Sequence, residues 1–201
     1  MQVIEETRQA IVLAGGESRR MGQAKVWLDF GGEALLTRIC RTVSQVVSRV
    51  VVVSACGQEL PILDDRCVVV EDKLISEGPL AGLGSGLEAI GQTGVVFVCG
   101  CDHPFLTPGF LSFLLDSLGE GDCATVASDH PQPLCAWYRV CALGHVQQLV
   151  NAGERRLSQI LVPLKISEVS PASLGENIRA SIGINTPKEY IAALRTFDSR
   201  A

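Results

Sequence analysis

A hydroxyl and three cationic side chains follow the first apolar run of the chain within a dozen residues. The run at 10–14 predicts a buried strand, and it breaks at Gly15-Gly16, where a ligand can approach bare backbone. Ligands bind at the carboxyl ends of strands in open α/β sheets, and backbone N–H groups together with cations suit a polyphosphate. The loop is therefore predicted to hold a nucleoside triphosphate, with polar groups from Ser18, Arg19, Arg20 and Lys25.

The spacing of this loop separates it from two common phosphate-binding loops. A Walker A loop has four residues between its first glycine and the Gly-Lys-Ser/Thr triplet. Here five residues separate Gly16 from Gly22, and Lys25 comes three residues after Gly22. The dinucleotide fingerprint Gly-x-Gly-x-x-Gly also fails, because Gly15 and Gly16 are adjacent. The alternative to a triphosphate site is a glycine-rich turn that binds no ligand and whose arginines are solvated.

Polar residues also end three further apolar runs, at Ser54, Asp72 and Asp102. In a parallel sheet, all three lie along the same edge as the glycine pair. Asp102 follows its apolar run directly, and magnesium is typically held by one or two carboxylates plus phosphate oxygens. Its side chain is expected to face solvent or ligand, with an Asx turn as the alternative. The next residue, His103, is expected to be solvated.

Two other segments carry residues with a possible binding role. The sequence Gly-Pro-Leu-Ala-Gly, from Gly78 to Gly82, precedes a helical apolar pattern. Its small residues would let a base or phosphate approach the helix N-terminus, although close helix packing explains them equally well. Near the end of the chain, Asn185 is placed to cap the last helix.

The elements that must position these residues alternate along the chain. Strands are predicted at 49–53, 67–70, 95–101, 123–128, 133–139 and 165–169, and the first three of these are apolar runs that are expected to be buried. Helices are predicted at 35–47, 80–90, 108–118, 143–152, 156–161 and 187–197. This alternation predicts a single α/β domain over residues 1–201, with a core at about 10–195. Its architecture is a three-layer α/β/α sandwich around a mostly parallel, Rossmann-like sheet.

Composition excludes several classes of protein. The 201 residues are 47% apolar, but no apolar run is long enough for a membrane span, and residues 1–9 lack a signal core. The net charge of −5 argues against nucleic-acid binding. The eight cysteines lie mostly in apolar runs and are expected to be reduced core thiols of a cytoplasmic protein, without a metal or redox role.

The loop pattern Leu-Ala-Gly-Gly-x-x-x-Arg-Met-Gly-x-x-Lys resembles the signature of nucleotidyltransferases that attach a nucleoside monophosphate to a phosphorylated acceptor. Together with Gly-Pro-Leu-Ala-Gly and Cys-Asp-x-Pro-Phe, it is most similar to the molybdenum cofactor guanylyltransferase (MobA) family. The resemblance covers about 10–195 and implies a fold like that of nucleotide-diphospho-sugar transferases. One departure is Ser54, which stands where better-known members carry asparagine.

The resemblance also implies roles for individual residues. Asp102 matches the magnesium-binding aspartate, and Asn185 is a weaker second metal candidate. Asp72 matches an aspartate of the guanine site, where a carboxylate can accept the N1 and N2 hydrogens, with a ribose contact as the alternative. The implied catalytic residues are Arg20, Lys25 and Asp102. The implied nucleotide site comprises Leu13, Ala14, Gly15, Gly16, Arg19, Lys25, Ser54, Asp72, Gly78, Gly82 and Asp102.

The implied reaction is transfer of GMP from Mg-GTP to the terminal phosphate of molybdopterin, with release of pyrophosphate. The acceptor phosphate would attack in line, and catalysis would rest on positioning and charge neutralisation. Other implied partners are molybdenum-cofactor biosynthesis proteins and apo-molybdoenzyme chaperones. The alternatives are a cytidylyltransferase acting on the same acceptor and a non-catalytic GTP-binding adaptor.

Two pairs of residues are candidates for acceptor binding, each with a structural alternative. Trp137 and Tyr138 are placed to enclose a pterin, but alternation along a strand makes core packing the safer expectation for one of them. Arg155 and Arg156 would either grip the acceptor phosphate or lie on a solvated surface.

Overall fold

A seven-stranded sheet runs through the computed structural model, which describes residues 7–16, 21–72, 78–129 and 132–198. The strands are β1 (Arg8–Leu13), β2 (Arg49–Ser54), β3 (Cys67–Glu71), β4 (Val95–Gly100), β5 (Cys123–Val126), β6 (Ala136–Arg139) and β7 (Ile166–Val169). The α-helices are α1 (Leu35–Val43), α2 (Pro79–Ala89), α3 (Pro108–Asp116), α4 (Val146–Asn151), α5 (Pro171–Leu174) and α6 (Pro187–Asp198). Four 3₁₀ helices join them within these residues: Lys25–Trp27, Val140–Leu143, Leu157–Leu161 and Gly175–Ser181.

The strand order β3-β2-β1-β4-β6-β5-β7 creates a crevice beside β1. After β1 the chain adds β2 and β3 on one side, and then returns to place β4 on the other side of β1, parallel to it. The loops that follow β1 and β4 therefore start side by side at the same edge of the sheet. Ligands bind in such crevices in open α/β sheets. The loop with the paired glycines and the loop with Asp102 both start there.

The sheet is mixed, since β6 runs antiparallel to both of its neighbours, β4 and β5, whereas the other pairs are parallel. This confirms the predicted mostly parallel sheet. Alternate residues of each strand enter two different cores. On β1, Ala10 and Val12 face the core formed with α1, α3 and α6, whereas Ile11 and Leu13 face the core formed with α2 and α4. Helices thus cover both faces, which confirms the three-layer α/β/α architecture.

The burial of β3 and β6 differs in part from the prediction. The valine run of β3 predicted a buried strand, but β3 lies at the edge of the sheet with Val68 38% and Val69 50% exposed. Trp137 and Tyr138 are both fully buried, on opposite faces of β6. Their polar atoms bind the carbonyls of Leu111 and Pro133, so neither ring is placed to enclose an acceptor.

The segment between β7 and α6 contains two helices that the sequence did not predict, α5 and the 3₁₀ helix Gly175–Ser181. Both helices are too short to show the repeat of apolar residues by which a helix is recognised in a sequence. Of the eight cysteines, all are free thiols, and five are buried as expected, whereas Cys56 and Cys141 are exposed. No helix within the described residues combines the length and apolar character that a membrane span requires.

Candidate active site

The two glycines after β1 have different structural tasks. A Cβ on Gly15 would lie 3.2 Å from the backbone nitrogen of Ala55, so glycine permits this close approach to the end of β2. Gly16 has a φ of +129°, which side chains rarely adopt, and it faces open space. The N–H groups of Ala14 and Gly15 both donate to the carbonyl of Val53, at 2.8 and 3.1 Å. These two N–H groups therefore hold β1 and β2 together and are not available to a ligand.

The predicted phosphate-binding residues Arg19 and Arg20, together with Ser18, lie outside the described residues. Lys25 is described, and it begins the 3₁₀ helix Lys25–Trp27. Its Nζ donates to Asp102 Oδ2 at 3.2 Å and to Asn185 Oδ1 at 2.8 Å. Three residues that the sequence proposed from separate motifs therefore meet at one point, at the carboxyl end of β4.

The carboxylate of Asp102 is largely buried rather than facing solvent, because its side chain is 19% exposed. Two glycines make this position possible. A Cβ on Gly100 would lie 2.7 Å from Asp102 Oδ1, and one on Gly183 would lie 3.4 Å from Oδ2. The N–H of Ile184 donates to the Asp102 carbonyl at 2.8 Å, and this bond brings the following residue, Asn185, beside the carboxylate.

The electrostatic environment keeps Asp102 ionised. Burial by itself would raise the pKa of this carboxyl, but the neighbouring His103 and Lys25 outweigh it and lower the pKa to about 2. Asp102 is therefore an anion at neutral pH, which is the form that binds a metal ion or the ammonium of Lys25.

His103 is the residue that the sequence placed wrongly, since it was expected to be solvated. It is only 6% exposed, and its Nδ1 lies 2.9 Å from Asp102 Oδ1. Its position directly before Pro104 was a signal that its backbone is restricted to an extended conformation. The direction of the ring, however, depends on packing that no local pattern reveals.

The loop that carries Asp102 and His103 is supported from α1. Arg38 Nε donates to the carbonyl of Pro104 at 3.1 Å, and the guanidinium lies 4.7 Å from the ring centroid of Phe197. Phe105 packs edge-to-face on Phe30, with 5.5 Å between ring centroids. Sequence reasoning missed Arg38, because its partners come from distant parts of the chain.

Asp72 lies at the other side of the glycine loop, over the first turns of α2. Its N–H donates to the Ser54 carbonyl at 2.8 Å, and its Oδ1 accepts from the Ser85 hydroxyl at 3.2 Å. A Cβ on Gly82 would lie 3.6 Å from Asp72 Oδ2, so glycine leaves room beside the carboxylate. Ser54 itself is 2% exposed, and Gly78 precedes α2 with a φ of +90°.

The last helix is capped differently from the prediction. Thr186, not Asn185, caps α6: its Oγ1 accepts from the N–H of Glu189 at 3.2 Å, and the Glu189 carboxylate accepts from the N–H of Thr186 at 3.0 Å. This is a capping box. The side chain of Asn185 consequently points its oxygen at Lys25.

A cavity of about 400 Å³ lies on the β5 and β6 side of Asp102. Its lining mixes apolar groups, such as Leu134 and Ile178, with polar groups, such as Thr125 and Ser181. Asp102, His103, Gly183 and Asn185 also line it, so the carboxylate stands at its mouth. Arg155 and Arg156 are exposed and do not line this cavity; Arg156 pairs with Glu154 at 2.9 Å.

Comparisons with known proteins agree with this arrangement. The MobA-like NTP transferase domain family matches residues 10–168. A relative from Mycobacterium tuberculosis, named "Probable molybdenum cofactor guanylyltransferase", is 33% identical over 190 residues, covering 89% of this chain and 92% of the relative. One of the same name from Mycobacterium marinum is 38% identical over 156 residues, covering 75% and 77%.

The crystal structure of molybdopterin-guanine dinucleotide biosynthesis protein A from Archaeoglobus fulgidus has a TM-score of 0.76 at 22% identity, covering 95% of this chain and 99% of that one. That likeness shows a shared fold. The family match at 10–168 includes the glycine loop, Asp72 and Asp102, and the two mycobacterial relatives cover 89% and 75% of this chain. The chain thus belongs to the MobA-like NTP transferase family and is a nucleotidyltransferase related to the molybdenum cofactor guanylyltransferases.

Proposed function

We propose that this chain transfers GMP from Mg-GTP to the terminal phosphate of molybdopterin and releases pyrophosphate. The names of the mycobacterial relatives support the substrates. The observation that carries the proposal is the meeting of Lys25, Asp102 and Asn185 between the glycine loop and the cavity. A nucleotidyl transfer needs cationic and metal-binding groups at the point where two substrates meet, and these residues are of those types.

The donor set fits a magnesium ion. Asp102 Oδ2 and Asn185 Oδ1 are oxygen ligands of the kind magnesium prefers, and both already converge on one cation, the Lys25 ammonium. Among the described residues, there is no group of three or more acidic, histidine or cysteine side chains that could hold a metal ion by itself. We therefore expect the ion to bind together with the triphosphate. When bound, it supplies positive charge that offsets the charge developing on the phosphates.

The remaining roles follow from the positions of the side chains. The Lys25 ammonium would leave its two oxygen partners and bind the triphosphate instead. The resemblance implies that Arg19 and Arg20 also bind the triphosphate. The backbone at Gly16, which has open space beside it, would receive phosphate oxygens. Asp72, with space beside it at Gly82, would accept the paired hydrogens of guanine.

The cavity is the place for the acceptor. The nucleotide residues lie on the β1, β2 and β3 side of Asp102, whereas the cavity lies on the β5 and β6 side. An acceptor phosphate at the cavity mouth would approach the nucleotide from the side opposite the leaving pyrophosphate, as in-line displacement requires. Contacts with other cofactor-biosynthesis proteins and with apoenzyme chaperones stay predictions from the resemblance.

The test is a nucleotide panel with magnesium. Pyrophosphate release is followed for GTP, CTP and ATP, each with and without molybdopterin. We expect acceptor-dependent release with GTP only. Release with CTP instead would establish a cytidylyltransferase, and tight GTP binding without any release would establish a binding adaptor.

A further inference from the structure

The two oxygens of the Asp102 carboxylate have different surroundings. Oδ2 faces the Lys25 ammonium at 3.2 Å, in the group that the proposed function assigns to metal and phosphate binding. Oδ1 is sealed from solvent and lies against Gly100, where a Cβ would approach it to 2.7 Å. Only Oδ2 is therefore accessible to a metal ion, and something must keep the carboxylate from rotating.

His103 is placed to do this. Its Nδ1 lies 2.9 Å from Oδ1, and neither buried atom has an aligned hydrogen bond to any other group in the described part of the chain. Each is thus the nearest available partner of the other. A carboxylate oxygen can only accept, so the hydrogen belongs on Nδ1. Leaving two such buried atoms unpaired would be unfavourable, so we infer a hydrogen bond from Nδ1–H to Oδ1.

We propose that His103 is a positioning residue, whose Nδ1–H holds Oδ1 of Asp102 against Gly100 and so directs Oδ2 alone toward the metal. The proposal rests on the proposed function for the presence of the metal. It does not require His103 to touch substrate or to change its protonation. Groups that orient a metal ligand in this way typically contribute about 10–100-fold to metal affinity.

Amide replacements separate this role from simple filling of space. An asparagine places its N–H near the position of histidine Nδ1, whereas a glutamine extends past that position. His103→Asn should therefore retain the bond to Oδ1, and His103→Gln should lose it. His103→Phe keeps a ring but has no donor. A matched control is His145→Phe, which removes a histidine whose ring nitrogens bind the carbonyls of Ala142 and Ile160, at 3.1 and 3.0 Å, away from the site.

The measurement is binding of Mn²⁺ to the protein–GTP complex by electron paramagnetic resonance, beside metal-free GTP binding by calorimetry. We expect H103F and H103Q to weaken Mn²⁺ binding by about 10–100-fold. H103N and H145F should stay within about threefold of wild type, and metal-free GTP affinity should not change in any variant. If H103F does not fold, the amide pair carries the test by itself.

Equal Mn²⁺ affinity in H103Q and wild type would overturn the proposal, and so would an H103N variant as weak as H103Q. Wild-type turnover distinguishes this failure from failure of the proposed function. A wild type that transfers GMP but binds metal independently of His103 refutes only the positioning role. A wild type that transfers no GMP, while its metal binding depends on His103, refutes only the guanylyl transfer.

Discussion

The two sides of Asp102 are built in different ways. On the nucleotide side, glycines and backbone form the surface: Gly15 lies close to β2, Gly16 turns the chain, and Gly82 leaves room beside Asp72. On the cavity side, side chains from β5, from residues 132–135 before β6 and from the 171–185 segment surround the space. The nucleotide side is thus encoded by short local motifs, whereas the cavity side depends on parts of the chain that meet only in the fold.

This contrast teaches where each kind of specificity is expected. Backbone groups and glycines recognise phosphates, which every nucleotide shares, and they cannot be altered without changing the turn itself. Side chains that line a cavity can be exchanged one at a time. In the proposed reaction, the nucleotide side therefore binds groups that all nucleotides share. The cavity side is the part whose side chains can be changed to suit a different acceptor.

The largest effect should come from removing the group that both sides share. Asp102→Ala is expected to reduce GMP transfer by about 10²–10³-fold or more, because the anion that holds the metal is lost. Asp102→Asn should lie closer to Ala than to wild type. The measurement is magnesium-dependent pyrophosphate release by protein whose thermal unfolding shows it to be folded. If turnover stays near normal, Asp102 has no part in the mechanism, and the two sides do not share a residue that the reaction needs.

Lys25→Ala should have the next largest effect. Loss of a charged hydrogen-bond donor to phosphate is expected to weaken GTP binding by about 1.5–3 kcal/mol and to slow transfer. Lys25→Arg need not restore activity, because the guanidinium differs in shape and reach. Calorimetry with GTP checks the binding. Wild-type affinity and rate in Lys25→Ala would mean that the glycine loop is a structural turn.

Asp72→Asn probes the nucleotide side alone. It should reduce the preference for GTP over CTP and ATP by about 1–3 kcal/mol, since a guanine donor would lose its carboxylate partner. The KM for molybdopterin should not change, and this is the internal control. A change in acceptor KM with unchanged base preference would contradict the division into two sides.

Gly183→Ala probes the cavity side with a smaller expected effect. The added methyl would lie 3.4 Å from Asp102 Oδ2 at the cavity wall, where it covers the carboxylate without straining the backbone. Transfer should fall roughly tenfold through misplacement of the reacting groups, with metal-free GTP affinity unchanged. Gly109→Ala, in α3 with no atom within 4 Å of the new Cβ, is the matched control. An equal loss in both variants would point to a general effect of adding alanine.

The same contrast explains how much the sequence could predict. Local apolar periodicity and turn residues predict most strands and helices and the glycine loop. They also predict the two aspartates that follow β3 and β4. The bonds of Lys25 span 77 residues to Asp102 and 160 to Asn185, so only the parallel-sheet argument and the family resemblance suggested that they meet. His103 and Arg38 were missed because ring direction and guanidinium contacts are set by packing. The exposure of β3 was missed because the place of a strand in the sheet order is not local information.

The ammonium of Lys25, held between two oxygens, has a kinetic consequence. A bare divalent cation that arrives at Asp102 and Asn185 has to displace a positive charge already hydrogen-bonded to both. A nucleotide that brings its own metal offers the ammonium a new anionic partner at the same moment. Under the proposed function, the metal is therefore expected to enter together with GTP rather than before it.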